Sequence, residues 1–381
     1  MKLSKNLGRV ATTLLATAML ASVSAVPVFA DQFGESGVID NTESGTAITS
    51  ISFTKELMKP AQVTTPNKEF TFTLKNSTDV ITGATYTSSG KSLNLYNGVG
   101  AGENGIEATA VFTATQGTGT IVPGEDVNTV ETTVNFDINS LVDDFTDTGV
   151  YKYDIDEDEE DAPYYNGGNL DLYLFVVRYT ENETDKYKVT GAVLTKDGQV
   201  DQKTDTTTNG YMVDPTDPDP TPDTNDLVIT KTVDGQMGSH SEKFDFTVTL
   251  PGTENDKYNA QYEKDGNTIG DPVTLTGGKN TGIKLAHGES LRIYGLVDDT
   301  SVYTVSETDY RSSGYTTKIN DNEVREVVNV TYDADNNDIA VVNTRNAVSP
   351  TGIVMNVAPY ALLVVVAAAG CFVFLRKRRE D

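Results

Sequence analysis

Apolar and polar residues alternate at every second position through most of this chain. Phe70 and Phe72 alternate with polar neighbours in one segment, and Phe244, Phe246 and Val248 do the same in another. This period of two is typical of half-buried β-strands. Between the two ends of the chain no long stretch follows the 3.6-residue period of a helix. The pattern therefore predicts an all-β fold.

The two ends of the chain carry uninterrupted apolar runs instead. Near the N-terminus basic residues precede an apolar run that ends in compact residues at Ala30, which predicts a secretory signal peptide and a mature chain that begins at Asp31. Near the C-terminus the uncharged run Ile353–Leu375 is followed by a basic cluster. A helix rises about 1.5 Å per residue against a hydrocarbon core of about 30 Å, so this run predicts a transmembrane helix with a cytoplasmic basic end.

A segment rich in proline and aspartate separates two strand-rich regions. Its four prolines, between Asp214 and Asp223, cannot join a strand ladder and favour an extended spacer. The flanking regions share short motifs, such as Phe70-Thr-Phe72 and Phe244-Asp-Phe246, and many short strands predict two tandem immunoglobulin-like β-sandwich domains. The predicted signal peptide, flexible leader, first domain, linker, second domain and C-terminal segment span residues 1–30, 31–50, 51–211, 212–225, 226–346 and 347–381.

Charge and cysteine content narrow the possible functions. The chain has a net charge of −27, and its two basic ends lie outside the predicted domains, so the exported surface repels nucleic acid and anionic lipid. The single cysteine, Cys371, lies in the predicted membrane span. The exported domains therefore cannot be held by disulfide bonds, and we expect another covalent device or packing alone to stabilise them.

Strand alternation directs three polar residues toward the core of the second domain. Lys231, Glu307 and Asn343 each share a strand face with apolar residues two positions away. Singly, each has an ordinary explanation: a lysine that reaches solvent, a glutamate beyond a strand end, an asparagine in a turn. Together they fit one reaction, because an apolar setting favours a neutral lysine amine and a protonated glutamate. Attack of Lys231 on the Asn343 carboxamide, with Glu307 moving protons, would form an isopeptide bond and release ammonia.

The first domain contains a similar set of residues. Lys55 shares a face with Ile51 and Phe53, and Glu157 is placed in the same way on its own strand. Asn209, which is followed by Tyr211, is the candidate third partner, although its same-face neighbours Thr207 and Asp205 are not apolar. We therefore expect a second crosslink that joins Lys55 to Asn209, with Glu157 as the catalytic residue.

Two parts of the chain resemble known families. Residues 226–346, with Lys231 near their start, the motif Tyr303–Thr308 and Asn343 in the last strand, resemble the linker domain of streptococcal-type major pilins. In that family a Lys–Asn isopeptide bond and a catalytic glutamate occupy the matching positions. The segment Val348-Ser349-Pro350-Thr351-Gly352, just before the apolar run, resembles the cell-wall sorting signal of Gram-positive surface proteins. A sortase would cut it between Thr351 and Gly352; its first two positions depart from the common Leu-Pro pattern, which leaves the sortase class open.

The resemblance implies a secreted, wall-anchored backbone subunit of a covalent pilus, and not an enzyme. The implied partners are a sortase, other copies of the chain, minor tip or base pilins and peptidoglycan, with a precursor held transiently in the plasma membrane. The family's acceptor lysine lies late in the first domain, which points to Lys203 first and Lys196 second. The alternative is a monomeric wall-anchored adhesin or stalk that binds a host or matrix ligand.

No metal or cofactor site is predicted. The acidic run Asp154–Asp161 fits a solvated hairpin better than a calcium site, and Asp333–Asp338 lacks the glycine and glutamate of a calcium loop. His240 and His287 are far apart in the sequence. Phosphate-loop, zinc and nucleophile-elbow motifs are absent from the sequence, so a surface hydrolase has no support.

Overall fold

The computed structural model describes residues 33, 37–88, 90–116, 127–161, 163–216, 226–348 and 364. The predicted signal peptide, most of the linker and residues 349–352 lie outside these ranges, as does the C-terminal apolar run apart from residue 364. In the described residues no helix is long and apolar enough to cross a membrane. Short 3-10 helices lie at Asn139–Asp144, Arg311–Ser313 and Ala334–Asn336, and residue 364 is also helical.

The first strand-rich region forms two facing sheets. Its strands are β1 Val38–Asp40, β2 Ser50–Pro60, β3 Lys68–Asn76, β4 Thr85–Ser88, β5 Lys91–Asn97, β6 Ile106–Phe112, β7 Val127–Asp137, β8 Gly149–Glu157, β9 Tyr164–Tyr165, β10 Leu170–Glu181, β11 Thr184–Lys196, β12 Gln199–Lys203 and β13 Thr206–Tyr211. The larger sheet has the order β1-β11-β10-β8-β3-β6, with β4, β5 and β12 attached, and the smaller has the order β7-β2-β13-β9.

The core of the first region lies between these sheets. Phe53 of β2 meets Phe72 of β3 edge to face, with ring centroids 5.5 Å apart, so the two sheets are in direct aromatic contact. On the outer face of the larger sheet, the β4–β5 hairpin contributes Tyr86 to a second, smaller apolar cluster with Tyr173. This hairpin therefore buries part of a sheet face that would otherwise meet solvent.

Part of the segment that composition assigned to a flexible leader is folded onto the first region. Val38–Asp40 form β1 and pair with β11, and the side chains of Phe33 and Ile48 are buried in the core. A three-residue strand is too short to produce a visible alternation, which is why the sequence pattern did not indicate it.

The second region is a sandwich of the same kind. Its strands are β14 Asp226–Asp234, β15 Phe244–Thr249, β16 Lys257–Lys264, β17 Asn267–Thr268, β18 Val273–Thr276, β19 Asn280–Leu285, β20 Glu289–Tyr294, β21 Val302–Glu307, β22 Thr316–Ile319, β23 Glu326–Thr331 and β24 Asp338–Thr344. One sheet has the order β17-β16-β20-β14-β24-β22, with β18 attached, and the other has the order β19-β15-β21-β23.

The first and last long strands of each region are parallel neighbours in one sheet. In the first region β2 pairs with β13, and in the second β14 pairs with β24. Every other main strand pair of the two sandwiches is antiparallel except β5 with β8. The all-β prediction is confirmed, and the two sandwiches place the ends of each region side by side.

Candidate functional site

Strand register brings Lys231, Glu307 and Asn343 together in the core of the second sandwich. Lys231 on β14 pairs with Val341 on β24, so Asn343 lies two positions further along on the same face. Glu307 ends β21 in the opposite sheet, where it pairs with Phe246. The lysine and the asparagine thus enter the core from one sheet, and the glutamate meets them from the other.

The three side chains form one hydrogen-bonded cluster. The Lys231 Nζ donates to the Glu307 Oε1 at 2.7 Å, and the Asn343 Nδ2 donates to the same oxygen at 2.9 Å. Lys231 and Asn343 are 0% exposed and Glu307 is 3% exposed. Among the described residues the Asn343 Oδ1 has no hydrogen-bond partner, which is unusual for a buried carbonyl oxygen and leaves the carboxamide held on one side only.

Burial changes the protonation of Lys231. Desolvation lowers the pKa of its amine to about 8, although the nearby Glu307 carboxylate acts in the opposite direction. The Nζ lies 4.4 Å from the ring centroid of Phe244 and 5.8 Å from that of Phe246, so aromatic rings take the place of water around it. A larger fraction of this amine is therefore neutral, and nucleophilic, than of a solvated lysine.

The first sandwich repeats this arrangement position by position. Lys55 on β2 pairs with Thr207 on β13, so Asn209 again lies two positions beyond the strand partner of the lysine. Glu157 ends β8 and pairs with Phe72, in the same way that Glu307 pairs with Phe246. The sequence repeat thus corresponds to a repeated cluster in three dimensions.

Contacts within the first cluster form a closed ring. The Lys55 Nζ donates to the Glu157 Oε2 at 2.9 Å and to the Asn209 Oδ1 at 2.6 Å, and the Asn209 Nδ2 donates to the Glu157 Oε1. Burial lowers the pKa of Lys55 to about 8 and raises the pKa of Glu157 above its ordinary value. Both shifts favour a neutral amine beside a neutral acid, which is the pair that amide exchange requires.

Two further buried lysines lack the combination of a lowered pKa and a contact with a carboxyl group. Lys152 lies among Asp79, Asp154 and Asp171, with Nζ to oxygen distances of 2.7, 3.5 and 3.2 Å. Burial lowers the pKa of Lys152, but the ion pairs with Asp79 and Asp171 outweigh burial and raise this pKa, so the amine stays protonated. Lys59 faces the core near Lys55 and has its pKa lowered to about 8 by burial, but its Nζ donates to the Val63 carbonyl and meets no described carboxylate within 4 Å.

The two predicted acceptor lysines lie on the surface of the first region. Lys203 ends β12, is exposed, and pairs with Thr195. Lys196 ends β11, is exposed, and lines a groove of about 990 Å³ together with Gln199. Of the predicted sorting motif, Val348 is described and is 79% exposed; residues 349–352 lie outside the described residues.

Two features near the second cluster were not found from the sequence. The Thr317 Oγ1 donates to the Glu307 Oε2 at 2.9 Å. His240 and His287, distant in the sequence, stack with ring centroids 3.7 Å apart, and the His287 Nδ1 accepts a hydrogen bond from the Val233 backbone. The described residues contain no group of three or more side chains that could hold a metal ion.

Comparison with known proteins gives a consistent result. Residues 225–345 match a family described as "Domain of unknown function (DUF7601)". A Streptococcus pyogenes serotype M1 protein named "Pilin" is 26% identical over 339 residues, which cover 82% of this chain and 86% of that protein. The crystal structure of the major pilin from Streptococcus pyogenes has a TM-score of 0.52 at 20% identity and covers 79% of this chain and 100% of its own.

A second solved structure supports the same fold. The major pilin protein T3.2 from Streptococcus pyogenes serotype GAS13637 has a TM-score of 0.50 at 20% identity and covers 82% of this chain and 100% of its own. The chain is thus similar in sequence to a streptococcal pilin and has the fold of the streptococcal major pilins, which confirms the resemblance that its motifs indicated.

Proposed function

We propose that this chain is the backbone subunit of a covalently polymerised, cell-wall-anchored pilus, and that one isopeptide bond locks each of its two tandem domains. The observation that carries the proposal is the repetition of one buried cluster: Lys55, Glu157 and Asn209 occupy the same strand positions as Lys231, Glu307 and Asn343. The similarity to streptococcal pilins supports the same role. The chain is structural and not an enzyme, because each crosslink forms once.

Crosslink formation balances as an amide exchange. The neutral Lys231 amine attacks the Asn343 Cγ, and the carboxamide Nδ2 leaves as ammonia. Glu307 contacts both the attacking and the leaving nitrogen through Oε1, so it can take a proton from the first and deliver one to the second. If the carboxamide turns by half a rotation, its oxygen faces Glu307 and accepts a hydrogen bond from the protonated acid as charge develops on that oxygen.

The position of each bond suits a protein under tension. Lys55 and Asn209 lie on the first and last long strands of one sandwich, and Lys231 and Asn343 lie on those of the other. Force applied at the two ends of a domain would separate these parallel neighbours first. A covalent bond between the two strands would bear this force in place of the hydrogen bonds that pair them.

Assembly would use the two ends of the chain. After export directed by residues 1–30, a sortase would cut between Thr351 and Gly352 and join the Thr351 carbonyl to a lysine of another copy, with Lys203 as first choice and Lys196 as second. Peptidoglycan and minor tip or base pilins would be the remaining partners. The proposed domains are residues 51–211 and 226–346, joined by the linker 212–225.

Co-expression with the cognate sortase in a Gram-positive host tests the proposal. We expect a ladder of multimers that survives boiling in detergent, and we expect Thr351→Ala to abolish it because the acyl donor is lost. A single band from the wild-type chain, with a sortase that is active on another substrate in the same cells, would favour the monomeric adhesin.

A further inference from the structure

We propose that Thr317 is a positioning residue that orients Glu307 for formation of the Lys231–Asn343 bond; this inference rests on the proposed function. Thr317 lies on β22, directly opposite Asn343 in the register of β22 and β24. Its hydroxyl donates to the Glu307 Oε2 at 2.9 Å. Strand β22, which pairs with the strand of Asn343, therefore also positions the Glu307 carboxyl group that promotes the reaction of Asn343.

The two oxygens of Glu307 have different partners. Oε1 accepts hydrogen bonds from both Lys231 and Asn343, and Oε2 accepts one from Thr317. Because Thr317 holds Oε2, the carboxyl plane cannot rotate away from the Lys231 Nζ and the Asn343 Nδ2. A hydroxyl can donate to a carboxylate and accept from a protonated acid, so Thr317 can hold Glu307 in both protonation states that a proton shuttle passes through.

Thr317 also separates the cluster from solvent. It lines a cleft of about 690 Å³ between β22 and β23, together with Val324 and Val328. The Glu307 side chain behind it is 0% exposed. The β-branched Thr317 side chain has few rotamers in a strand, so it can keep its hydroxyl on the carboxyl group at a small entropic cost.

The first cluster orients its glutamate in another way. Each oxygen of Glu157 accepts a hydrogen bond from one of the reactants, Lys55 or Asn209. Continuing the antiparallel register of β13 and β9 by one residue places Asn166 opposite Asn209, and the Asn166 Oδ1 accepts a hydrogen bond from the Glu160 backbone. Asn166 is exposed and, among the described residues, makes no hydrogen bond to the Glu157 carboxyl group, so the inferred role belongs to the second cluster.

The test compares Thr317→Val, which has a similar shape without the hydroxyl, with Thr317→Ser, which keeps the hydroxyl. Pulse-labelled full-length chains are sampled minutes after synthesis, and the crosslinked fraction at Lys231–Asn343 is measured by peptide mass. We expect Thr317→Val to form this bond about ten-fold more slowly or worse, because a hydrogen bond to the proton shuttle is lost, and Thr317→Ser to recover most of the rate. The Lys55–Asn209 bond in the same molecules is the internal control and should form at the wild-type rate.

Several outcomes would overturn the inference. These are a wild-type rate in Thr317→Val, failure of Thr317→Ser to recover, or equal slowing of both bonds, which indicates a general folding defect. Thr317→Val in a Glu307→Ala background should also keep the melting temperature of Glu307→Ala, and a large further drop would assign Thr317 a purely structural role. If the wild-type chain never forms the second-domain bond, the proposed function itself fails, and the two failures are distinguished by that result.

Discussion

Lys231 and Asn343 point into the core from neighbouring parallel strands and are offset by two positions in register. Lys55 and Asn209 have the same relationship in the first sandwich. Register is a property of the paired strands and not of either strand alone, so its recurrence in two sandwiches of one chain indicates a common constraint on both. Formation of the same bond in both domains is the constraint that we infer.

The first prediction concerns mass. Each Lys–Asn bond releases one ammonia, so the two domains together should weigh about 34 Da less than their sequence, at about 17 Da for each bond. Glu307→Ala should restore about 17 Da beyond the calculated effect of the substitution, because the proton shuttle of the second domain is removed. Intact-mass measurement decides both points, and a second domain with its full sequence mass would contradict the Lys231–Asn343 bond.

The second prediction concerns stability. A bond between Lys231 and Asn343 closes a loop on the order of a hundred residues, which in the chain-entropy model stabilises by about 4 to 5 kcal/mol. We expect Lys231→Ala to lower the melting temperature of the second domain by roughly 10 to 20 °C in calorimetry. The transition of the first domain serves as the control. An unchanged second transition would mean that the bond is absent or contributes nothing to stability.

The third prediction concerns pH. Asn343→Ala blocks the bond but leaves Lys231 beside Glu307, where burial lowers the lysine pKa to about 8. The unfolded chain then binds more protons than the folded chain between pH 8 and the ordinary lysine pKa of about 10.4. The stability that this lysine contributes is therefore greatest above that range and is lost as pH falls through about 8. Urea midpoints should rise across this window.

The matched control for the pH experiment is the double variant Lys231→Met with Asn343→Ala. It lacks the titrating amine, so its urea midpoint should not show the rise that Lys231 causes across this pH window. Any change caused by other groups that titrate at alkaline pH should remain. Parallel curves for the two variants would show that Lys231 does not titrate as inferred.

The fourth prediction separates an ion cluster from a crosslink. Lys152 is held in its charged form by Asp79 and Asp171, so we expect it to form no amide bond and Lys152→Ala to leave the mass deficit of both domains unchanged. The substitution leaves the buried Asp171 carboxylate without its lysine partner, which should destabilise the first domain by about 3 kcal/mol or more. A mass deficit that shrinks in Lys152→Ala would identify a third covalent bond and contradict this assignment.

The fifth prediction concerns the acceptor lysine. With the cognate sortase, Lys203→Arg keeps the positive charge but removes the acceptor amine, so the ladder should collapse to monomer on a denaturing gel. Lys196→Arg is the control, because Lys196 is also exposed and lies on the neighbouring strand. A ladder lost only in Lys196→Arg would move the site to Lys196, and one that persists in the double variant would exclude both.

The sequence by itself determined the all-β class and the inward direction of Lys231, Glu307 and Asn343. Alternation is local, so it can be read wherever a strand carries apolar residues on one face. The same reasoning was available for Thr317, since Tyr315 and Ile319, two positions to either side, are both buried. A threonine hydroxyl costs much less to bury than a charge, so the alternation pattern alone does not mark Thr317 as a functional residue.

Only the tertiary structure decided which of these residues meet. Thr207 and Asp205, which precede Asn209 on the same strand face, are polar, yet Asn209 is fully buried because β13 is covered by the larger sheet of its sandwich. The offset of two positions between each lysine and asparagine, the stacking of His240 on His287 and the contact of Thr317 with Glu307 all join distant segments. Such pairings depend on strand register and sheet packing, which a local pattern of apolar and polar residues does not contain.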